Sequence, residues 1–451
     1  MIVMKFGGTS VGNSQNIQIV YQLIKSDTPK IVVVSAMAGT TNQLIQLYEK
    51  HKAYSVIADQ ILKTIIQRYQ STAYELLYDP ELLANYLENL AIFKNIVQQS
   101  ILQPDTPKFL NEFIVWGEII TSQLIFNYLK QQGVSVMLLD STDIIHLTEQ
   151  REPDLEYASK KMEQILSEIP GKAIYLIPGF LCKNSHGEID NLERGGSDYT
   201  ATILGASIQA SEIQIWSDID GLHNNDPRYV QETSTVSLLS FEEAEELAYF
   251  GAKVLHPTCI LPAKLKKVPV KLKNTLNPNA DGTLITENVE THGIKAIAAK
   301  DGITALRIQS GRMLMAYGFL RKIFEIFEKY QTPVDMITTS EISVAATIDQ
   351  KYYLKEIISE LSLLGGIQIS ANQTIICLVG NFNNNSQVET QKILNALSGI
   401  QINMISFGAS SRNIALLIDS EQKNKALNLL SIHLFHPVPC SPNTLSKNST
   451  N

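Results

Sequence analysis

The chain has 451 residues, 44% of them hydrophobic and 18% charged, enough apolar material for more than one core-forming domain. A formal net charge of −8 disfavours a surface built for nucleic acid, and the four cysteines, Cys182, Cys259, Cys377 and Cys440, form no Cys-x-x-Cys pair that would suggest structural zinc or a disulfide framework. The first residues do not read as a secretory signal and no apolar run reaches spanning length, so the expectation is a cytoplasmic protein that handles small molecules.

In chain order, the apolar run Met1-Ile2-Val3-Met4 predicts a short buried strand that empties into Lys5-Phe6-Gly7-Gly8-Thr9-Ser10. Two adjacent glycines let backbone N–H groups approach a ligand closely, and a lysine beside them can neutralise phosphate. The alternative is a plain turn before a helix capped at Ser10 or Asn13. A helical stretch to about Lys25 precedes the β-branched run 30–34, which predicts a buried parallel strand feeding the small-residue loop Ser35-Ala36-Met37-Ala38-Gly39-Thr40-Thr41-Asn42. From 51 to about 130 the apolar residues recur at helical spacing. Strand patterns return at 134–139, 173–180 and 212–216, and this alternation predicts an α/β sandwich around a mostly parallel sheet.

Four further segments carry chemistry. In Glu193-Arg194-Gly195-Gly196-Ser197-Asp198 an arginine fork suits a carboxylate, and the glycine pair opens what the periodicity of 201–209 makes a helix N-terminus. Asp198 has three open roles there: holding Mg²⁺, orienting a lysine or taking a proton. Trp216-Ser217-Asp218-Ile219-Asp220-Gly221-Leu222-His223 ends a strand in a polar loop that runs on to Asp226-Pro227-Arg228, at the strand end where open α/β sheets bind ligands. Phe250-Gly251-Ala252-Lys253-Val254-Leu255-His256-Pro257 places a lysine among small and apolar neighbours, and Glu118 in Val115-Trp116-Gly117-Glu118 could present a carboxylate from a helix.

Turn residues across 274–293 mark a domain boundary. Beyond it, a strand at 303–307, a helix at 318–330, strands at 334–337 and 343–348 and a helix at 354–364 are followed by a strand at 374–379, a helix at 388–397, strands at 401–407 and 413–418 and a helix near 420–430. Two tandem copies of one small α+β module are the direct reading. The polar residues after 436 predict a loose tail.

These motifs, in this order, resemble those of aspartate kinases nearly end to end. Lys-Phe-Gly-Gly-Thr-Ser, Ser-Ala-Met-Ala-Gly-Thr-Thr-Asn, Trp-Gly-Glu, Arg-Gly-Gly-Ser-Asp-Tyr-Thr, Asp-Pro-Arg and Phe-Gly-Ala-Lys-Val-Leu-His-Pro are all present. The C-terminal modules resemble that family's paired ACT domains. The resemblance implies an amino-acid-kinase-type three-layer sandwich over 1–290, two ferredoxin-like ACT modules over 291–440, one inserted into the other so that the strand at 303–307 falls with the last module, and a tail at 441–451. It also implies conversion of ATP and L-aspartate to ADP and 4-phospho-L-aspartate, the first step towards lysine, threonine and methionine, with Mg²⁺, amino-acid feedback (by lysine above all) and a homodimer formed through the ACT domains.

Residue by residue, the resemblance gives Lys5 the transferring phosphoryl group, Gly7 and Gly8 the loop amides, and Asp198 the task of organising Lys5. Thr41, Glu118, Arg194, Gly195, Gly196 and Ser197 fall to aspartate, with Arg194 on its α-carboxylate and Glu118 on its ammonium. Ser217, Asp218, His223, Arg228, Lys253 and Val254 fall to the nucleotide, and Met313, Ala316, Phe319, Leu320, Pro333, Val334, Asp335 and Ser340 to the effector. No protein-held metal site is expected. His223 stands where many relatives have tyrosine, Glu193 where some have glycine, and Ala316 and Pro333 where lysine-inhibited members have serine. The absence of a Gly-x-x-x-x-Gly-Lys-Ser/Thr loop excludes a P-loop kinase, and the absence of a dinucleotide fingerprint argues against a fused homoserine dehydrogenase. The alternatives are a kinase of another acidic amino acid, or a catalytically silent amino-acid sensor built on the same scaffold.

Overall fold

The computed structural model describes residues 1–436 except 27, 51–54, 101–106, 252–255, 288, 290–291, 312–316 and 384–385. The expected loose tail at 441–451 lies outside the described residues. The chain divides into two compact units: 1–222, 235–245 and 253–289 form the first, and 223–234, 246–252 and 290–451 the second.

Among the described residues, the first unit contains β1 (Ile2–Phe6), β2 (Lys30–Val34), β3 (Val136–Leu138), β4 (Ile174–Pro178), β5 (Leu181–Lys183), β6 (Ile189–Asn191), β7 (Glu212–Ser217), β8 (Leu238–Ser240), β9 (Val270–Asn274) and β10 (Thr283–Thr286). Its helices are α1 (Ser14–Ile24), α2 (Thr40–Lys50), α3 (Ser55–Leu76), α4 (Pro80–Ser100), α5 (Pro107–Ile114), α6 (Trp116–Gln131), α7 (Leu155–Glu168), α8 (Gly196–Ser207) and α10 (Pro257–Lys266), with α9 (Phe241–Tyr249) divided between the units. Eight strands make one sheet in the order β3-β4-β2-β1-β7-β9-β10-β8. Pairing is parallel throughout except between β9 and β10.

All five residues of β2 are buried, because a central parallel strand is covered on both faces, and this is why Ile31 to Val34 read as an unbroken apolar run. Strand alternation then sorts β1. Met4 and Phe6 join the apolar cluster that holds Ile17, Leu44, Ile65, Tyr69 and Leu124 of the α1, α2, α3 and α6 layer, while Lys5 points to the face where α8 lies. Of the two expected caps, Asn13 is the one that closes α1, its side chain accepting from the Asn16 N–H at 2.8 Å.

The second unit holds β11 (Gly293–Gln309), α11 (Phe319–Lys329), β12 (Ile337–Thr339), β13 (Ser343–Ile348), α12 (Leu354–Ser362), β14 (Gly366–Asn381), α13 (Ser386–Ala396), β15 (Ile402–Ser406), β16 (Asn413–Asp419) and α14 (Lys423–Phe435). Its six strands form one antiparallel sheet, β12-β13-β11-β14-β16-β15.

The tandem connectivity is corrected here. β11 is a single 17-residue strand whose second part, from Thr304 on, pairs with β13, and whose first part, Gly293 to Lys300, pairs with the second part of β14. The first module is therefore inserted within the second. The strand at 303–307 belongs to the first module, and the stretch from Gly293, absent from the sequence reading, completes the second. Two separate apolar cores reflect this division: Leu306, Ile323, Phe327, Val344 and Ile357 in one, and Ile297, Ile376, Leu378, Ile393, Leu416 and Leu427 in the other. The register shifts around Lys300, Ile303 and Ala305, where Gly302 has φ +79°, mark the passage of the strand from one core to the other. The strand expected at 334–337 begins at Ile337, although Asp335 N–H already donates to Thr347 O at 2.9 Å.

No described helix is long and apolar enough to cross a membrane. Cys182, Cys259 and Cys377 are buried and unpaired.

Candidate active site

The site is built at the C-terminal ends of β1, β2 and β4, closed by the first turns of α6 and α8. β1 delivers Lys5, 8% exposed, and its ammonium lies 2.6 Å from the Asp198 carboxylate in the first turn of α8. This contact is the geometry that the second of Asp198's three candidate roles, orienting the lysine, requires. After Phe6 the chain is tied to its neighbours on both sides: Gly7 N–H donates to Trp216 O at 3.0 Å, and Gly8 O accepts from Ala38 N–H at 2.9 Å. The two small-residue loops lie against each other so closely that a Cβ at Gly8 would stand 2.8 Å from Ala36 O.

The Trp-Gly-Glu motif works by the same close approach. A Cβ on Gly117 would stand 2.9 Å from Ala36 Cβ, so glycine lets α6 settle against the loop after β2 and brings Glu118 Oε1 to 3.2 Å from the Ala36 N–H, which donates to it. Glu118 is 4% exposed, and its Oε2 is buried with no partner among the described residues. Burial pushes its pKa from 4.5 up to about 8, against the weaker pull of the Ala36 amide and the Lys5 charge.

At the start of α8, Gly195 adopts φ +76° as the N-cap, a conformation glycine takes without strain, and a Cβ on Gly196 would run into Phe180. The pair therefore lets the helix N-terminus pack closely against Phe180 and Cys259. Arg194 is exposed just before it, with no carboxylate partner among the described residues. Glu193 sits at φ +56°, a left-handed conformation that costs a residue with a Cβ more than it costs glycine. Here its carboxylate lies 3.2 Å from Arg151 Nη2, and its N–H donates to Asn191 Oδ1 at 2.9 Å.

Lys5, Gly8, Thr41, Glu118, Arg194, Gly195, Gly196, Ser197 and Asp198 line one cavity of about 360 Å³. A second, of about 340 Å³, shares Ala38 with it and is lined by Thr9, Ser10, Asn13, Ser217, Asp218 and Thr275. His223 and Arg228 belong to the second unit, where His223 Nδ1 is 2.9 Å from Thr233 Oγ1 and Arg228 Nε donates to Asp226 Oδ1 at 2.9 Å. Lys253 and Val254, and Met313 and Ala316 of the effector set, lie outside the described residues. Of that set Phe319 opens α11, Leu320 and Pro333 are exposed, Val334 is half-buried, Asp335 pairs with Lys300 at 2.6 Å, and Ser340 Oγ meets Ser343 Oγ at 2.8 Å.

Two supporting residues escaped the sequence reading. Arg68 of α3 donates to Ala38 O at 2.6 Å and to Gly12 O at 2.9 Å, tying both loops together. The Tyr69 hydroxyl, fully buried, meets Thr121 Oγ1 at 2.9 Å and Thr40 Oγ1 at 3.1 Å. Inside a long helical block nothing marks an arginine or a tyrosine as aimed at loops that are distant in sequence.

The chain matches the model of the amino acid kinase family over residues 1–274 and that of an ACT domain over 376–434. It is 34% identical to the chloroplastic aspartokinase 3 of Arabidopsis thaliana over 97% of this chain and 82% of that protein. With the lysine-sensitive aspartokinase 3 of Escherichia coli it shares 30% identity over 96% of this chain and 99% of that one. The crystal structure of E. coli aspartokinase III in complex with aspartate and ADP superposes with a TM-score of 0.84, at 29% identity, over 97% of this chain and all of that one. Shared motifs, shared fold and near end-to-end similarity together make this chain a member of the amino acid kinase family, in its aspartokinase branch with ACT domains.

Proposed function

We propose that the chain transfers the γ-phosphoryl group of ATP to the β-carboxylate of L-aspartate, giving ADP and 4-phospho-L-aspartate. The observation that carries this reading is the cavity in which the Lys5–Asp198 pair, the unpartnered Glu118 Oε2 and the exposed Arg194 face common space. Glu118 offers a buried acceptor for the substrate's α-ammonium, which restores its ionised form. Arg194 suits the α-carboxylate as a fork, with Thr41 and the amides of Gly195, Gly196 and Ser197 completing the cradle. An acidic partner for a free ammonium has no use for an acylated amino acid.

The β-carboxylate is already nucleophilic at neutral pH, so no general base is needed. One of its oxygens forms the new bond to phosphorus as the bond to the β,γ-bridging oxygen breaks, and ADP leaves. Lys5 meets the charge on the moving phosphoryl group, held in place by Asp198, while the Gly7-Gly8 loop and the N-terminus of α8 supply further positive potential. Ser217 and Asp218, in the wall of the adjoining cavity, serve the nucleotide, with Lys253 and Val254 as further contacts. Magnesium enters with ATP as part of the substrate, as phosphoryl transfer generally uses it.

The second unit is the regulatory part, with lysine as effector at 313–340, as the lysine-sensitive relative suggests. Its sheet ends in β12 and β15, edges suited to pairing with a second copy in a cytoplasmic homodimer. The test is ATP-dependent hydroxamate formation with aspartate against glutamate, with and without lysine and threonine. Aspartyl hydroxamate is expected, and its absence overturns the reading.

A further inference from the structure

Arg151 stands at the tip of a tight turn in which Thr148 N–H donates to Glu152 O at 2.8 Å and Arg151 N–H to Thr148 O at 2.9 Å. Its φ of +62° is uncommon for a residue with a side chain, and such a conformation persists only where the surroundings hold it. Two neighbours do so. The turn is fastened to β5, where Leu147 N–H donates to Lys183 O at 2.8 Å. The guanidinium is fastened to the end of β6, with Nη1 donating at 2.9 Å to Oδ2 of Asp190, whose side chain is 3% exposed. The Oδ1 atom of Asp190 is already engaged, accepting from Asn111 Nδ2 at 2.7 Å and from the Asn191 N–H at 2.8 Å. Arg151 thus completes a buried carboxylate that would be costly to leave without its cation.

Pinned there by one nitrogen, the fork presents the other, Nη2, to Glu193 Oε1 at 3.2 Å. The Glu193 side chain is 73% exposed, and an exposed pair of this kind adds little to stability. Its effect is to fix where the Glu193 carboxylate lies. Glu193 directly precedes Arg194, and both line the cavity of about 360 Å³ together with Lys5 and Glu118. A carboxylate on the adjacent residue is a tethered copy of the group that Arg194 receives from substrate, at an effective concentration on the order of millimolar. Left free, it competes for the Arg194 fork and repels an anionic substrate.

We propose that Arg151 is a positioning residue that holds the Glu193 carboxylate away from Arg194 and so keeps Arg194 open for the α-carboxylate of aspartate. Asp190 is the anchor that fixes Arg151, and Glu193 is the internal competitor that Arg151 restrains. This rests on the reading of the chain as an aspartate kinase with Arg194 on the substrate's α-carboxylate.

A double-variant cycle between Arg151 and Glu193 tests this on the full chain, read by steady-state kinetics at saturating ATP and by calorimetric titration with L-aspartate. Arg151→Gln should raise the aspartate KM and Kd about fivefold or more while kcat stays within about twofold. Glu193→Gln alone should leave both constants within about twofold of the wild type, and the two substitutions together should return them to that range, because the competitor is gone. A purely structural Arg151 would behave differently, since removing a charge at Glu193 does not repair a deformed loop. If Arg151→Gln fails to fold, Arg151→Lys keeps a charge on Asp190 without the second arm of the fork and should show the same rise and the same rescue. Unchanged aspartate affinity in the folded Arg151 variant, or a rise that persists in the double variant, overturns the proposal. Should the wild type form no aspartyl hydroxamate, the kinase reading fails and the calorimetric constants alone decide on Arg151, while a wild type that binds no aspartate overturns both.

Discussion

The ammonium of Lys5 lies 2.6 Å from the carboxylate of Asp198, joining the end of β1 to the first turn of α8. Both side chains are largely buried, so the lysine is already oriented before any phosphate arrives, and the energy needed to arrange it is spent in folding rather than in each turnover.

Lys5→Ala should lower kcat by about a thousandfold while leaving the aspartate KM within about threefold, because the charge on the moving phosphoryl group is met chiefly in the transition state. Asp198→Asn, which keeps the shape but loosens the lysine, should cost less. Steady-state kinetics at saturating ATP checks both, and a change confined to the aspartate KM would reassign Lys5 to ground-state binding.

Glu118 makes the empty enzyme sensitive to pH. Its folded pKa of about 8 stands above the ordinary 4.5, so the native state holds a proton that the unfolded chain has lost. The stabilisation is complete below about pH 4.5 and disappears as pH rises through 8. Melting temperature should therefore fall between pH 5 and pH 8.5, less steeply in Glu118→Gln, and aspartate should offset the fall in the wild type alone. Calorimetry in buffers of different ionisation enthalpy should show proton release on aspartate binding near pH 7.

Arg194→Ala should raise the aspartate KM by roughly ten- to a hundredfold with little change in kcat, since its fork holds a part of the substrate that does not react. Because Arg194 is exposed, the melting temperature should stay within about a degree or two of the wild type. A large loss of stability would instead give it a structural role.

Gly8→Ala tests the close approach of the two loops. With Ala36 O only 2.8 Å from the added methyl and Ala38 N 3.1 Å away, one loop must shift. A loss of about 1–3 kcal/mol is expected from such overpacking, together with a fall in kcat. Chemical denaturation and activity at one temperature check the two together.

Where the sequence was legible, a residue's chemistry and its backbone requirement coincide at one position. Lys5 beside Gly7-Gly8 and Arg194 beside Gly195-Gly196 stand out because each sets a charge next to a backbone that only glycine allows to pack so closely, and that need is written as glycine next to charge. Glu118 was harder, since one acidic residue on a helix is usually solvated, and only the 2.9 Å limit at Gly117 explains why it is not. Arg68 was not legible at all: its role comes from carbonyl groups at Gly12 and Ala38, far along the chain, and hydrogen bonds to backbone leave no mark on the partner's identity. The connectivity of the second unit failed for a related reason. Alternation reveals a strand but not which core each half of it faces, and β11 changes cores without changing its pattern.

That change of cores makes the two modules unequal under deletion. Lys300 pairs with Ile375 across β11 and β14, so the two points where the chain leaves and re-enters the outer module are neighbours in the sheet. Excising 302–373 and bridging the gap with a short turn would leave an ordinary hairpin and a complete outer module. No single excision of the outer module does the same for the inner one, because its remaining pieces flank the insertion on both sides. The inner module is thus the removable guest and the outer one the permanent host, and a shortened regulatory unit can arise by loss of the guest alone.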